Sequence, residues 1–239
     1  MKTLVSWSSG KDSAWMVHVL QQRGDVEIGA LLTTINEPAQ RVAMHGVRVE
    51  VLRAQAEALG LPLWMVPIPS PCPNQVYEQA MGAAVARAVG DGFTHAAFGD
   101  LFLEDIRKYR EERLAGSGLT PLFPLFGTDA DTPALARLMI AAGLRARITC
   151  LNPKVIDGTF AGREFDAALL DELPPSIDPC AERGEFHTCA YAGPMFRHRI
   201  ALDTGITVER DGFVFTDLTI SNQLPNYQIT RLLDDPMTK

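Results

Sequence analysis

Three short stretches hold more polar chemistry than packing requires. The first, "VSWSSGKDSAW" at residues 5 to 15, sets Ser8, Ser9, Gly10, Lys11, Asp12 and Ser13 between two apolar runs. The run before them reads as a buried strand, and the spacing after them is helical, so the six residues form a strand-to-helix turn. The first amides of a helix lack carbonyl partners, which makes such a turn, with hydroxyls beside it, an anion site. A bare helix cap by Ser9 or Asp12 explains one of these residues and not their density. The spacing is not GxxxxGK[ST], which excludes the phosphate loop of kinases and GTPases.

The second stretch, "HAAFGDLFLEDIRKYRE", puts Gly99 and Asp100 at the end of an expected strand, with Glu104 and Arg107 a few residues further along. Doubly wound sheets open their ligand crevice at such strand ends. The third, "IDPCAERGEFHT" at 177 to 188, gathers Glu182, Arg183, Glu185 and His187. One cysteine and one histidine do not complete a tetrahedral zinc set, so no residue here is assigned as a metal ligand. The two glutamates suit a cationic group or Mg2+, and His187 suits proton transfer near neutral pH. His45, in "RVAMHGVR", comes after the second expected strand, again where a doubly wound sheet binds ligands.

The elements that must carry these residues alternate through the first half. Helices are expected at about 12 to 22, 48 to 59 and 75 to 89, and strands at 4 to 7, 27 to 34, 63 to 68 and 94 to 100. Gly60 and Pro62 close the second helix. Later come a proline-marked aromatic connector at 121 to 127, a helix at about 132 to 142, a strand at about 145 to 151 and a helix at about 162 to 172. A terminal hairpin turns at Asp211 and Gly212. The expected fold is α/β: a doubly wound, mainly parallel sheet in residues 1 to 128, and a smaller α/β substrate domain in 129 to 239.

Composition bounds the function. The chain has 239 residues, 46% of them hydrophobic, with a net charge of -7. An acidic balance gives no global field toward nucleic acid or an anionic membrane. Four cysteines without a CxxC pair read as reduced thiols. Neither a leader pattern nor a run of membrane-spanning length is legible, so a cytoplasmic location is expected. Oligomeric state is not legible.

Taken in order, SSGKDS, a histidine after the second strand, "FGDLFLEDIR", "PLFPLFG" and "DPCAERGEFHT" resemble the diphthine-ammonia ligase family. That family is a branch of the PP-loop ATP pyrophosphatases with an adenine nucleotide alpha hydrolase-like, Rossmann-like fold. The resemblance implies cleavage of ATP to AMP and PPi, with Mg2+, to activate a carboxylate that ammonia then converts to an amide. It implies that Ser8 to Ser13, Thr33 and Gly99 hold the nucleotide, and that Lys11, Asp12, Asp100, Glu185 and His187 act in catalysis. His45, Glu104, Arg107, Glu182 and Arg183 are then expected to hold the acceptor. In the family the acceptor is diphthine on elongation factor 2, which applies here if the host makes diphthamide. Two residues depart from the pattern: Ser9 stands where glycine is usual, and Arg183 where asparagine is usual. A PP-loop enzyme modifying tRNA or nucleobases, and a nucleotide sensor without turnover, are the competing expectations.

Overall fold

A computed structural model describes residues 1–221; the last part of the expected second domain, 222–239, lies outside the described residues. Two sheets organise the chain. The first contains β1 (Lys2–Ser6), β2 (Glu27–Asn36), β3 (Arg41–Val42), β4 (Leu63–Ile68), β5 (His95–Ala97) and β6 (Thr120–Leu122). Its parallel strands run in the order β4, β2, β1, β5, β6, with β3 joining antiparallel beyond the end of β1. Strand order therefore reverses direction between β1 and β5. Such a reversal opens a crevice at the carboxyl ends of the two strands.

Helices cover this sheet: α1 (Lys11–Gln21), α2 (Val49–Leu59), α3 (Asn74–Gly90) and α4 (Glu104–Leu114). In α2 the buried residues Val49, Leu52, Ala56 and Leu59 recur at helical spacing and pack into the main core. Gly60 ends this helix at φ 68, where glycine avoids the Cβ penalty of the left-handed region.

The second sheet is antiparallel, in the order β8, β7, β10, β9. Its strands are β7 (Arg145–Leu151), β8 (Phe186–Ala192), β9 (Leu202–Arg210) and β10 (Phe213–Ile220), and it carries α5 (Thr132–Ala141) and α6 (Ala167–Glu172). The expected hairpin at Asp211 and Gly212 is present as β9 and β10. The expected helix at 162 to 172 starts only at Ala167. Residues 163 to 165 instead bond along β7, through Ile148 N–H to Arg163 O at 2.9 Å and Phe165 N–H to Ala146 O at 2.7 Å. The dense stretch ending in "FHTCAYA" is strand β8, which no expectation covered.

The two sheets share one core. Val5, Met16 and Leu31 belong to the same buried cluster as Ile148, Phe186 and Leu218. Shared burial of apolar surface, at roughly 25 cal/mol per Å2, therefore helps to hold the second sheet against the first. No helix among the described residues is long and apolar enough to cross a membrane.

Candidate active site

The turn between β1 and α1 lies at the crevice. The first helical bond is Ala14 N–H to Gly10 O at 3.0 Å, so the amides of Lys11, Asp12 and Ser13 point out of the helix. Thr188 Oγ1 takes the Lys11 amide at 3.0 Å. Gly10 is the N-cap and supplies no side-chain cap, leaving the Asp12 and Ser13 amides directed at the crevice. Ser13 Oγ donates to Gly10 O at 2.9 Å, and Ser8 Oγ lies 3.2 Å from Ser13 Oγ. The two hydroxyls are thus bonded in series within the turn, and the unpaired amides at the helix N-terminus are the donors it offers. The arrangement fits an anion such as a polyphosphate end.

Gly99 approaches this turn from β5. A Cβ there would lie 3.3 Å from the Asp12 carbonyl carbon and oxygen and from the Ser13 amide, closer than most side-chain contacts. Glycine therefore lets the end of β5 reach the helix N-terminus. Asp100 follows at the crevice edge and pairs with Arg110, at 3.3 Å from its Nε.

Ser9 adopts the conformation that glycine would. Its φ is 71, it is fully buried, and its Oγ has no hydrogen-bond partner among the described residues. Its carbonyl is held by Ala190 N–H at 2.9 Å and Gln55 Nε2 at 3.0 Å, which fixes the backbone despite the strain. A left-handed L-residue costs roughly 1–2 kcal/mol and a buried unpaired hydroxyl adds to that. Ser9→Gly is expected to stabilise the protein by about 1 kcal/mol, after the extra chain entropy of glycine is deducted. The check is the thermal unfolding midpoint. A midpoint at or below that of the parent would mean that Oγ has a favourable partner in solution.

Lys11 takes a different place from the one expected of a residue that offsets phosphate charge. Its side chain is buried, with Nζ 2.8 Å from Asp12 Oδ2, donating to the Cys180 carbonyl, and 5.5 Å from the Phe165 ring centroid. Burial opposes the ammonium charge most strongly, but Asp12, Cys180 and Asp178 together outweigh it and hold the lysine pKa above its ordinary value, while burial raises that of Asp12 against the pull of Lys11. In this position Lys11 ties the turn to the 178–188 segment. It presents no donor to the crevice.

That segment is organised by Asp178, a residue the sequence did not single out. Its carboxylate accepts from the amides of Cys180 at 3.2 Å and Glu182 at 2.7 Å, while its own amide donates to Glu185 Oε1 at 3.1 Å. Glu185 is 3% exposed, and its Oε2 has no partner among the described residues. Glu182 reaches the other way and accepts from the Leu101 amide at 2.8 Å, beside Asp100. Burial pushes the Glu182 carboxyl up to about 7, with Asp12 and Asp100 adding to the rise. Asp12, Asp100 and Glu182 thus converge on the mouth of the turn.

His45 and His187 meet on the opposite side. Their ring centroids lie 4.6 Å apart, and a Cβ on Gly10 would touch His45 Cε1 at 3.0 Å. His45 Nδ1 donates to Thr188 O at 3.1 Å, which leaves Nε2 as an acceptor. Burial, and then His187, pushes His45 down to about 3; burial pushes His187 down to about 4. Both rings are neutral at neutral pH.

The remaining expected residues lie further out. Thr33 Oγ1 donates to Trp7 O at 2.7 Å and braces β2 against β1 from a buried position. Glu104 is exposed at the start of α4. Arg107 pairs with Glu111 at 3.0 Å and covers the Phe126 ring at 4.8 Å. Arg183 pairs with Asp129 at 3.2 Å and lies 5.0 Å from the Phe102 ring centroid, at the rim. Besides Asp178, two residues of the site went unread. Thr188 caps Lys11, and Gln55 bridges Trp7 Nε1, Ser9 O and Ala190 O from a fully buried position. A polar residue on the apolar face of α2 was the available signal for Gln55.

A parallel sheet with an anion-binding turn at its reversal point, closed by a segment of a second sheet, defines an ATP-using protein of the PP-loop pyrophosphatase type. The chain matches the family profile described as the diphthamide synthase N-terminal domain over residues 1–112 and that of the diphthamide synthase C-terminal domain over 131–218. It belongs to the diphthamide synthase family, the diphthine-ammonia ligase-like PP-loop ATP pyrophosphatases. No curated protein matches the chain.

Proposed function

We propose that the protein is an AMP-forming ligase that adenylates a carboxylate and amidates it with ammonia. The observation that supports this reading best is the anion-ready turn at residues 8 to 13, faced by Gly99 and Asp100 and closed by residues 178 to 188. ATP, as substrate, supplies an adenylyl group to a carboxylate oxygen with loss of PPi, and formation of the C–N bond with ammonia then releases AMP.

Within that reaction Ser8, Ser13 and the outward amides of α1 hold the PPi end, where the helix dipole favours negative charge. The described residues contain no group of three potential metal ligands. Mg2+ commonly keeps several waters and takes one or two carboxylates beside substrate phosphates, which Asp12 and Asp100 can provide. Glu182 at the mouth of the turn, and the buried Glu185 with its unpartnered Oε2, are suited to an incoming ammonium. Across the turn, neutral His45 and His187 would exclude water and orient the acceptor through their unprotonated nitrogens. The proposed acceptor is a carboxylate-bearing group, diphthine on elongation factor 2 if the host makes diphthamide. Arg183 at the rim would grip an anionic part of it.

The test uses ATP labelled at the α-phosphate, with Mg2+, ammonium and host extract as the source of acceptor. Labelled AMP and an equal yield of PPi are expected, dependent on ammonium. ADP and Pi as products would end the reading, and tight ATP binding without turnover would turn it toward a sensor.

A further inference from the structure

His45 sits on a turn that needs outside support. Met44 and Gly46, its two neighbours, both have left-handed backbones, at φ 63 and 68. The turn closes through Val42 N–H to Val47 O at 2.8 Å and an antiparallel bridge between Arg41 and Arg48, so two guanidinium groups stand together at its feet. Like charges at that spacing repel and would splay the turn.

Asp217 of β10 meets both. Arg41 NH1 donates to Asp217 Oδ1 at 2.8 Å, and Arg48 grips the same carboxylate with Nε at 2.9 Å and NH2 at 2.7 Å. Arg41 NH1 also donates to Gly46 O at 2.7 Å, carrying the grip to the residue after His45. Phe215, two residues before Asp217 and on the same strand face, packs where a Cβ of Gly46 would be, at 2.9 Å. The ladder to β9 slips at this point: Thr216 pairs with Thr207 and Leu218 with Thr204, so Asp217 faces Gly205 and Ile206 across a bulge. Bulges re-aim side chains beside functional sites.

We propose that Asp217 is a positioning residue for His45: by clamping Arg41 and Arg48 it holds the 41–48 turn so that the imidazole closes over Gly10 and packs, tilted, against His187. The proposal rests on the ligase reading for its consequence in catalysis and on geometry alone for the clamp. Burial opposes the Asp217 charge, but Arg48 and Arg41 outweigh it and hold the carboxyl down at about 2, so the clamp is closed throughout the neutral range.

The readout is the His45 ring titration by NMR in the full chain, assigned with His45→Gln. The groups facing the ring are His187 from β8, Lys11 from α1 and the Thr188 carbonyl. In the parent, His45 is expected to stay unprotonated above pH 5. In Asp217→Ala, the turn opens to water and the midpoint moves toward the ordinary imidazole value of about 6.5. The kcat for AMP formation falls by about 100-fold, the scale of an ångström misplacement, while KM for ATP changes little. Arg48→Lys, which keeps the charge and loses the two-pronged grip, gives a smaller shift in the same direction and serves if Asp217→Ala does not fold. An unchanged His45 titration in the folded variants, whatever happens to their melting temperatures, would overturn the clamp. Absence of AMP formation by the parent would sink the ligase reading and leave the titration to decide the positioning.

Discussion

Lys11→Met is expected to lower the unfolding free energy by about 3 kcal/mol, at the low end for a broken buried ion pair. The substitution keeps the side-chain volume and removes the ammonium that Asp12 and the Cys180 carbonyl share. Asp12 retains 27% exposure and can be rehydrated, which keeps the loss from reaching the upper end. Urea unfolding at neutral pH measures it. The double variant with Asp12→Asn should lose less than the two single losses added, because the pair is one unit. A Lys11→Met protein with the parental midpoint would show that the ammonium is not held as described.

Asp100→Asn is expected to reduce AMP formation by about 100-fold or more, near 3 kcal/mol of transition-state stabilisation, with a change in melting temperature of a degree or two. The asymmetry comes from its place. Asp100 is at the crevice edge, bonded to Arg110 at a long 3.3 Å, so folding makes little use of its charge. In the proposed reaction the same charge, with that of Asp12, would help to hold Mg2+ against the substrate phosphates. Single-turnover rates and melting curves on one preparation decide the matter. Full activity would move the metal-binding role to other residues.

Much of this was legible because apolar runs report strands well. Strands β4 and β7 have the expected bounds, 63–68 and 145–151, whereas the strand expected at 94–100 spans only His95–Ala97 and leaves Gly99 and Asp100 in the loop that follows it. What was not legible depends on partners distant in sequence. Strand β8 lacks an alternating pattern because five of its seven residues are buried, and its Phe-His-Thr start, just after Glu185, reads as chemistry. The 163–165 stretch has helical spacing, yet β7 offers its backbone a ladder, and tertiary pairing overrides local preference. The path of Lys11 was invisible for the same reason. A lysine in an anion loop reads as a phosphate contact until the residues around Cys180 are seen to surround it. Ser9 shows the converse: the departure from glycine was plain in the sequence, and only the structure shows that the strained backbone is kept.

The latch between Lys11 N–H and Thr188 Oγ1 spans 177 positions in sequence, and Ser9 O is fastened to Ala190 at the same place. Its consequence is temporal. Contacts of such long range are closed late, after local helices and neighbouring strands have formed. A nascent chain emerging from the ribosome carries its SSGKDS motif from the start, but the turn gains these two fastenings only when the second sheet has been synthesised and docked. A chain without its second sheet therefore holds the turn by β1 and α1 alone.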